Sequence, residues 1–223
     1  KGLAPAQQLL DNLLSEQELW ACTTCMACAQ DCPVMIEQVY RLVDLRRGLV
    51  LNESRFPSEL HATFSNLERN FTPWGFGHAA RADWAEGLGI PRMADVGKAD
   101  VLFWVGCAGA YDARYQKVAR AFARLLAKAG VNFAILGTEE KCTGDPARRM
   151  GNEYLAQTLM TENIATFAKY NVKKIVVTCP HCLQSLGKEY KQFGGEYEVV
   201  HHATFLEQLV SEARSAEPEG RVA

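Results

Sequence analysis

Apolar positions follow two different rhythms along this chain, and the change between them falls near Gly97 and Lys98. In the first part, Ser15 followed by Glu18 is a capping-box pattern, which predicts a short helix delivering Trp20 toward a group of cysteines. After Pro33, residues Ile36, Val39, Tyr40 and Val43 recur at helical spacing. A further helix fits Pro57 to about Arg69, with Leu60, Phe64 and Leu67 on one side. Between Asn70 and Pro91 the chain is rich in glycine and rings, including Phe71, Trp74, Phe76 and Trp84, and reads as an irregular connector packed by those rings.

From Asp100 short β-rich runs alternate with longer amphipathic ones, the pattern of a parallel sheet covered by helices. Strands are predicted at Val101–Val105, Asn132–Leu136, Ile175–Val177 and Tyr197–Val200. The first intervening helix, Ala113 to Ala129, places Val118, Phe122, Leu125 and Leu126 on one face, and Gly130 closes it. Leu155, Leu159, Ile164 and Phe167 mark a second helix; Leu183, Leu186 and Tyr190 mark a third, which Gly194 and Gly195 break. Phe205 and Leu209 begin a last helix that gives way to a polar tail after Val210. The expected fold class is therefore α/β, a parallel sheet with flanking helices preceded by a small helical segment. The expected division is 1–97 for the helical segment and connector, 98–212 for the α/β domain and 213–223 for the tail.

This topology has a chemical consequence. Cys107 follows the first predicted strand, Cys142 lies in the loop after the second, and Cys179 ends the third. In an open parallel sheet those loops share the carboxyl edge, where ligands usually bind, so Cys107, Cys142, Cys179 and Cys182 are expected to converge. His201 and His202, after the fourth strand, are placed at the same edge.

Composition narrows the classes. The chain has 223 residues, 48% hydrophobic and 22% charged, which is a globular balance and excludes disorder. With 24 Lys and Arg against 26 Asp and Glu the net charge is −2, and nothing is basic enough for a nucleic-acid footprint. The longest stretch free of formal charge, Ile175 to Gly187, contains Pro180 and several polar groups and is shorter than the roughly 20 apolar residues a bilayer demands. The first residue is Lys1 and no signal-peptide pattern follows, so a fragment or processed chain is expected.

The eight cysteines are grouped. Disulfides need an oxidising compartment and usually a core-poor domain, and neither is indicated, so thiolates held for metal are the better account. Cys22-Thr-Thr-Cys25-Met-Ala-Cys28-Ala-Gln-Asp-Cys32-Pro33 matches the C-x2-C-x2-C-x3-C-P run of bacterial-type ferredoxins. Three closely spaced thiols wrap corners of an iron–sulfur cubane, and the last serves another cluster. Cys22, Cys25 and Cys28 then lack a fourth thiolate and Cys32 lacks three, so the missing ligands are expected upstream of Lys1 or on a partner subunit. A structural zinc is the rival, although zinc sites favour two separated pairs.

The second set, Cys107, Cys142, Cys179 and Cys182, is enough for one [4Fe-4S] cluster or one tetrahedral zinc, and the count leaves both open. Gly144 stands where backbone must come close, while Arg148 and Arg149 either offset cluster charge or form a solvated face. His181 is placed to hydrogen-bond a sulfur or tune a proton. The Cys179-Pro-His-Cys182 spacing also has the outline of a dithiol redox pair, but that pair is expected near the first strand–helix unit of its fold.

The order Cys107-Ala-Gly, Cys142-Thr-Gly, Cys179-Pro-His-Cys182 resembles the cysteine-rich, CCG-type domain of heterodisulfide reductases and of the iron–sulfur subunits of glycolate and lactate oxidases. Trp20-Ala-Cys-Thr-Thr-Cys25, Asn66-Leu-Glu-Arg69 with Pro73-Trp-Gly75, and Asp145-Pro-Ala-Arg-Arg-Met-Gly-Asn-Glu153 are most similar to membrane-associated iron–sulfur reductases linking electron-transfer flavoprotein to quinone. The resemblance implies [4Fe-4S] clusters, one at Cys107, Cys142, Cys179 and Cys182 and one or two shared between an upstream motif and Cys22, Cys25, Cys28 and Cys32. It implies a flavoprotein donor, a membrane haem or quinone-binding segment in the full-length chain, and a location at the cytoplasmic face of the membrane, this piece itself being soluble. It permits zinc at the second site. Thr143 stands where the family carries a second adjacent thiol, which favours an ordinary cubane over the five-cysteine cluster that acts on disulfides. Thr143, His181 and Arg148 are the expected surrounding residues. The leading expectation is an electron-transfer module; the alternatives are a heterodisulfide or 2-hydroxy-acid oxidoreductase component and a structural zinc-bearing interaction domain.

Overall fold

The structure, a computed structural model, describes residues 14–216. Helix α1, Glu16–Ala21, starts on the predicted capping box: the Ser15 hydroxyl accepts from the Glu18 amide while the Glu18 carboxylate accepts from the Ser15 amide. A four-residue helix α2, Ala27–Gln30, lies inside the first cysteine run. Helix α3 spans Gln38–Glu53 and buries Val39, Val43, Leu49 and Val50. It begins later than the apolar spacing predicts, because Met35 adopts a left-handed φ of 53° that stops a helix from entering from Pro33, and Ile36 is exposed. Helix α4, Glu59–Asn70, buries Phe64 and Leu67 as expected.

The connector is more structured than its composition predicts. Residues His78–Ala85 form a 3₁₀ helix; Phe71 meets His78 edge to face within the connector, and two other rings reach the α/β part. Phe76 stacks on Tyr111, and Trp84 meets Phe103 edge to face. A single turn, α5 at Met93–Val96, follows.

The four-stranded sheet is parallel throughout, in the order β2-β1-β3-β4. Strand β1 is Val101–Trp104, β2 is Phe133–Ala134, β3 is Lys174–Val177 and β4 is Glu198–His201. β2 is shorter than predicted because Ile135 turns to bridge Arg92 of the connector. Helices α6 (Gly106–Tyr111) and α7 (Ala113–Lys128) follow β1. The apolar face of α7 differs from the expected one: Phe122 and Leu126 are buried, but Val118 and Leu125 are exposed. Ala119 and Ala123 take their places, small residues that let the helix lie close on the sheet.

Helices α8 (Asp145–Arg149) and α9 (Glu153–Lys169) fill the crossover between β2 and β3. After β3 the predicted third helix is composite: α10 at Pro180–Gln184, a π turn at Ser185–Glu189 and a 3₁₀ turn at Tyr190–Phe193. Single π turns are often found at functional sites. Helix α11, His202–Ala216, continues past Val210, where the apolar spacing ends, because the sequence there is rich in residues that tolerate helix.

Strand alternation divides the core in two. Leu102 and Trp104 point to one face with Phe167, Tyr190 and Leu186, while Val101, Phe103 and Val105 point to the other with Phe122 and Leu126. Val50, Phe64 and Leu67 of the helical part are packed into the first of these cores. The helical part and the sheet thus share one buried volume. Among the described residues no helix is long and apolar enough to cross a membrane.

Candidate functional site

A cavity of about 580 Å³ opens at the carboxyl edge of the sheet, and all four cysteines of the second set line it. Each arrives by a different local device. Gly106, at φ 71°, turns the chain directly out of β1 and sets Cys107 in the first turn of α6. The left-handed φ is what calls for glycine, since a Cβ there would only touch Cys182 Sγ at 3.4 Å.

Cys142 sits in a loop held from three sides. Its amide donates to Phe71 O at 2.9 Å, its carbonyl accepts from Asn163 Nδ2 at 3.0 Å, and the Tyr190 hydroxyl donates to Thr143 O at 3.0 Å. Gly144 confirms the expected close approach: at φ 86°, a Cβ would lie 2.8 Å from Ala156 O. Cys179 ends β3, Pro180 opens α10, and Cys182 follows one turn later on the same face.

The thiols are paired. Cys107 hydrogen-bonds Cys142, and Cys179 hydrogen-bonds Cys182. The hydrogen bond acts oppositely on its two ends, pulling Cys107 and Cys179 down to about 6 and pushing Cys142 and Cys182 well up, with burial adding to the rise. Cys182 also feels the charges of Cys107 and Cys142.

A buried ion pair lies behind Cys107. Arg81, from the connector, is fully buried, and both its terminal nitrogens stand 3.7 Å from Cys107 Sγ. Arg81 also donates to Phe71 O at 3.3 Å and to Glu140 Oε1 at 2.8 Å. Glu140, likewise buried, accepts from the Val105 and Gly106 amides at 3.1 and 2.9 Å. Sequence patterning did not single out Arg81 or Glu140, since isolated charges in a connector and before Lys141 read as surface. The one available signal was the position of Glu140 two residues before a cysteine.

The other expected residues distribute unevenly. Thr143 and Arg149 line the cavity, as does His181, whose Nδ1 stands 3.0 Å from Asp145 Oδ2. That hydrogen bond raises the His181 pKa. Arg148 does not line the cavity; it is held by Glu153, Glu189 and Gln192. His201 and His202 lie at the sheet edge but outside the cavity, with His201 Nε2 3.2 Å from Thr178 O and His202 against Phe122.

In the first cysteine run, Cys22 reaches the same cavity together with Trp20, a convergence that spacing alone did not predict. Cys25 and Cys28 are exposed and Cys32 is half-buried. The loop is locally strained, with Thr24 and Met26 at φ 56° and 67°. Backbone amides face its sulfurs: Thr24 N to Cys22 and Ile36 N to Cys32, each at 3.4 Å. The Ala27 amide lowers the Cys25 pKa and the Ile36 amide lowers that of Cys32. Arg46 joins the run to the sheet part, donating to Leu19 O, Cys22 O and Arg149 O at 2.6, 2.6 and 2.9 Å while lying over the Trp20 ring.

The donor set fits a soft metal group. Four thiols from three loops face one space, and Trp104 Nε1 and Arg81 Nε are buried beside it without a hydrogen-bond partner among the described residues. No three His, Cys, Asp or Glu side chains among the described residues gather tightly enough for a single ion.

Residues 101–187 match the family profile of the CCG cysteine-rich domain. Over 213 residues, 93% of its length, the chain is 46% identical to the EtfAB:quinone oxidoreductase of Syntrophomonas wolfei, of which it covers 30%. It is 45% identical over 213 residues to the probable iron-sulfur-binding oxidoreductase FadF of Bacillus subtilis, covering 92% of this chain and 30% of that protein. It is 31% identical over 206 residues to one component of the dihydromethanophenazine:CoB–CoM heterodisulfide reductase of Methanosarcina mazei, covering 88% of this chain and 48% of that protein. The chain thus spans about a third to a half of the length of these relatives. No solved structure matches it.

Proposed function

From a chain whose residues 101–187 are a cysteine-rich domain of the CCG type, we propose an iron–sulfur electron-transfer part of an oxidoreductase, relaying electrons between a flavoprotein donor and a membrane quinone or haem acceptor. The observation that carries this reading is the convergence of Cys107, Cys142, Cys179 and Cys182 on one cavity with buried N–H donors around it. Those four residues would hold the cluster, which supplies a one-electron station there. Arg81 and Trp104 offer donors toward the sulfurs, and the Glu140 and Asn163 contacts keep the loops in place.

The exposed run of Cys22, Cys25, Cys28 and Cys32 is the second station in this reading, its remaining ligands supplied by the rest of the protein. Trp20 and Cys22 bring that run to the rim of the sheet-edge cavity, which shortens the path between stations. A quinone acceptor dissolves in the bilayer, so the working location is a membrane face.

A second reading is favoured by the cavity itself. It remains open, with walls of Trp20, Leu60 and Trp74 and the His181–Asp145 pair at its rim, so a small disulfide or 2-hydroxy acid has room beside the thiols. Turnover of such a substrate in the absence of any flavoprotein would favour it over the relay.

The test is anaerobic purification followed by iron, zinc and acid-labile sulfide analysis and low-temperature electron paramagnetic resonance. About four irons per chain at the sheet edge, with a spin signal on reduction, is the expected result. About one zinc and no spin signal would overturn the relay and make the site structural.

A further inference from the structure

We infer that the buried Arg81–Glu140 pair sets the reduction potential of the group held by Cys107, Arg81 raising it and Glu140 holding it down; this rests on the iron–sulfur reading above. The geometry is specific. Both terminal nitrogens of Arg81 stand 3.7 Å from Cys107 Sγ, and the residue has no exposure to solvent that would screen its charge. Glu140 touches Arg81 at 2.8 Å and accepts from the amides of Val105 and Gly106, the two residues that lead into Cys107. The pair therefore fixes both the charge behind the sulfur and the place of the sulfur.

Stability alone is a poor explanation for the arrangement. A buried ion pair seldom stabilises more than apolar residues of the same volume, because taking both charges out of water offsets their attraction. Arg81 comes from a connector 26 residues before Cys107, so the contact is a tertiary one and not a by-product of helix geometry. Its direction of action follows from charge. Reduction adds one electron to the cluster, and a fixed cation or an N–H donor at a ligand sulfur favours the more negative form. Glu140 opposes this by its own charge.

The two residues should then act with opposite sign, which a purely structural pair would not do. The chain carrying Cys25→Ser and Cys28→Ser, to silence the first run, is reconstituted with iron and sulfide, and its midpoint potential is measured by a mediated titration under argon. Glu140→Gln keeps one oxygen acceptor, enough for one of the two amides, and by removing the negative charge is expected to raise the potential. Arg81→Met combined with Glu140→Gln leaves no buried charge unpaired and is expected to lower it below the parent chain. The expected gap between the two variants is at least tenfold in the reduced-to-oxidised ratio at a fixed solution potential, about 59 mV for one electron. Arg81→Lys, which keeps the charge and loses the forked contact, should fall between the parent and the double variant. Potentials that do not move, or that move in the same direction in both variants, overturn the inference alone. An iron content that Cys107→Ser leaves unchanged overturns the iron–sulfur reading of the sheet edge and this inference with it.

Discussion

The two cysteine groups of this chain are built on opposite plans. Cys22, Cys25, Cys28 and Cys32 lie within one contiguous segment, two of them exposed and two half-buried, with sulfurs facing amides of their own segment. Cys107, Cys142, Cys179 and Cys182 come from three loops of a parallel sheet and face a cavity with a buried arginine behind it. The local group is spelled out in sequence. The assembled group has its four thiols, and its second layer depends on tertiary contacts. A loop can preorganise thiols by strain and nearby amides, but only a packed core can place a charge out of water beside one.

Removing one thiol should separate the two groups most sharply. Cys179→Ser is expected to abolish iron binding at the sheet edge, while Cys25→Ser leaves that iron in place; metal analysis of both variants checks it. The next contrast is chemical and concerns the metal-free chain. Cys107 and Cys179, held down to about 6, carry mostly thiolate at pH 7 and should alkylate rapidly, with rates that fall as pH drops through that value. Cys142 and Cys182, pushed up, should stay unreactive until well into alkaline pH. Peptide mapping after iodoacetamide at a series of pH values reads both, and equal rates within each pair would break the asymmetry.

The seam between the regions carries the next two effects. Gly151, at φ 86°, lies so close to α3 that a Cβ would stand 2.5 Å from the Arg46 carbonyl carbon. Gly151→Ala should therefore cost about 3 kcal/mol or more in thermal or denaturant unfolding, combining left-handed strain with overpacking. Arg46→Met removes the donors to Leu19 O, Cys22 O and Arg149 O and should cost about 2–3 kcal/mol. It should also increase protease sensitivity around Cys22 without changing sheet-edge iron. The smallest effect is local: Ser15→Ala deletes one half of the capping box at the start of α1 and should cost about 1 kcal/mol.

Much of this arrangement is legible in the sequence. The strand–helix alternation after Asp100 led to the parallel sheet, and the sheet led to four thiols at one edge. Ser15 and Glu18 announced their helix, and Gly144 announced a close approach. Other features were misread for identifiable reasons. Val118 and Leu125 have the right spacing for a core face, but Ala119 and Ala123 let the backbone come nearer and took the contact instead. Ile36 has the right spacing too, yet the backbone at Met35 keeps it out of the helix. Of the connector's rings, Phe71 packs on His78 of the same segment as its composition suggests, whereas Phe76 and Trp84 find partners on the sheet domain.

The sequence by itself determined the chemistry on offer: which thiols exist, how closely the first four follow one another, and at which edge of a parallel sheet the others emerge. Those properties depend on spacing along the chain and on the geometry of single elements, which short windows of residues encode. Tertiary structure alone decided that Cys22 shares a cavity with the second group, that Arg46 ties the regions together, and that Arg81 stands against Cys107. An arginine can leave water only when a partner meets it, and here that partner is Glu140, 59 residues further along the chain.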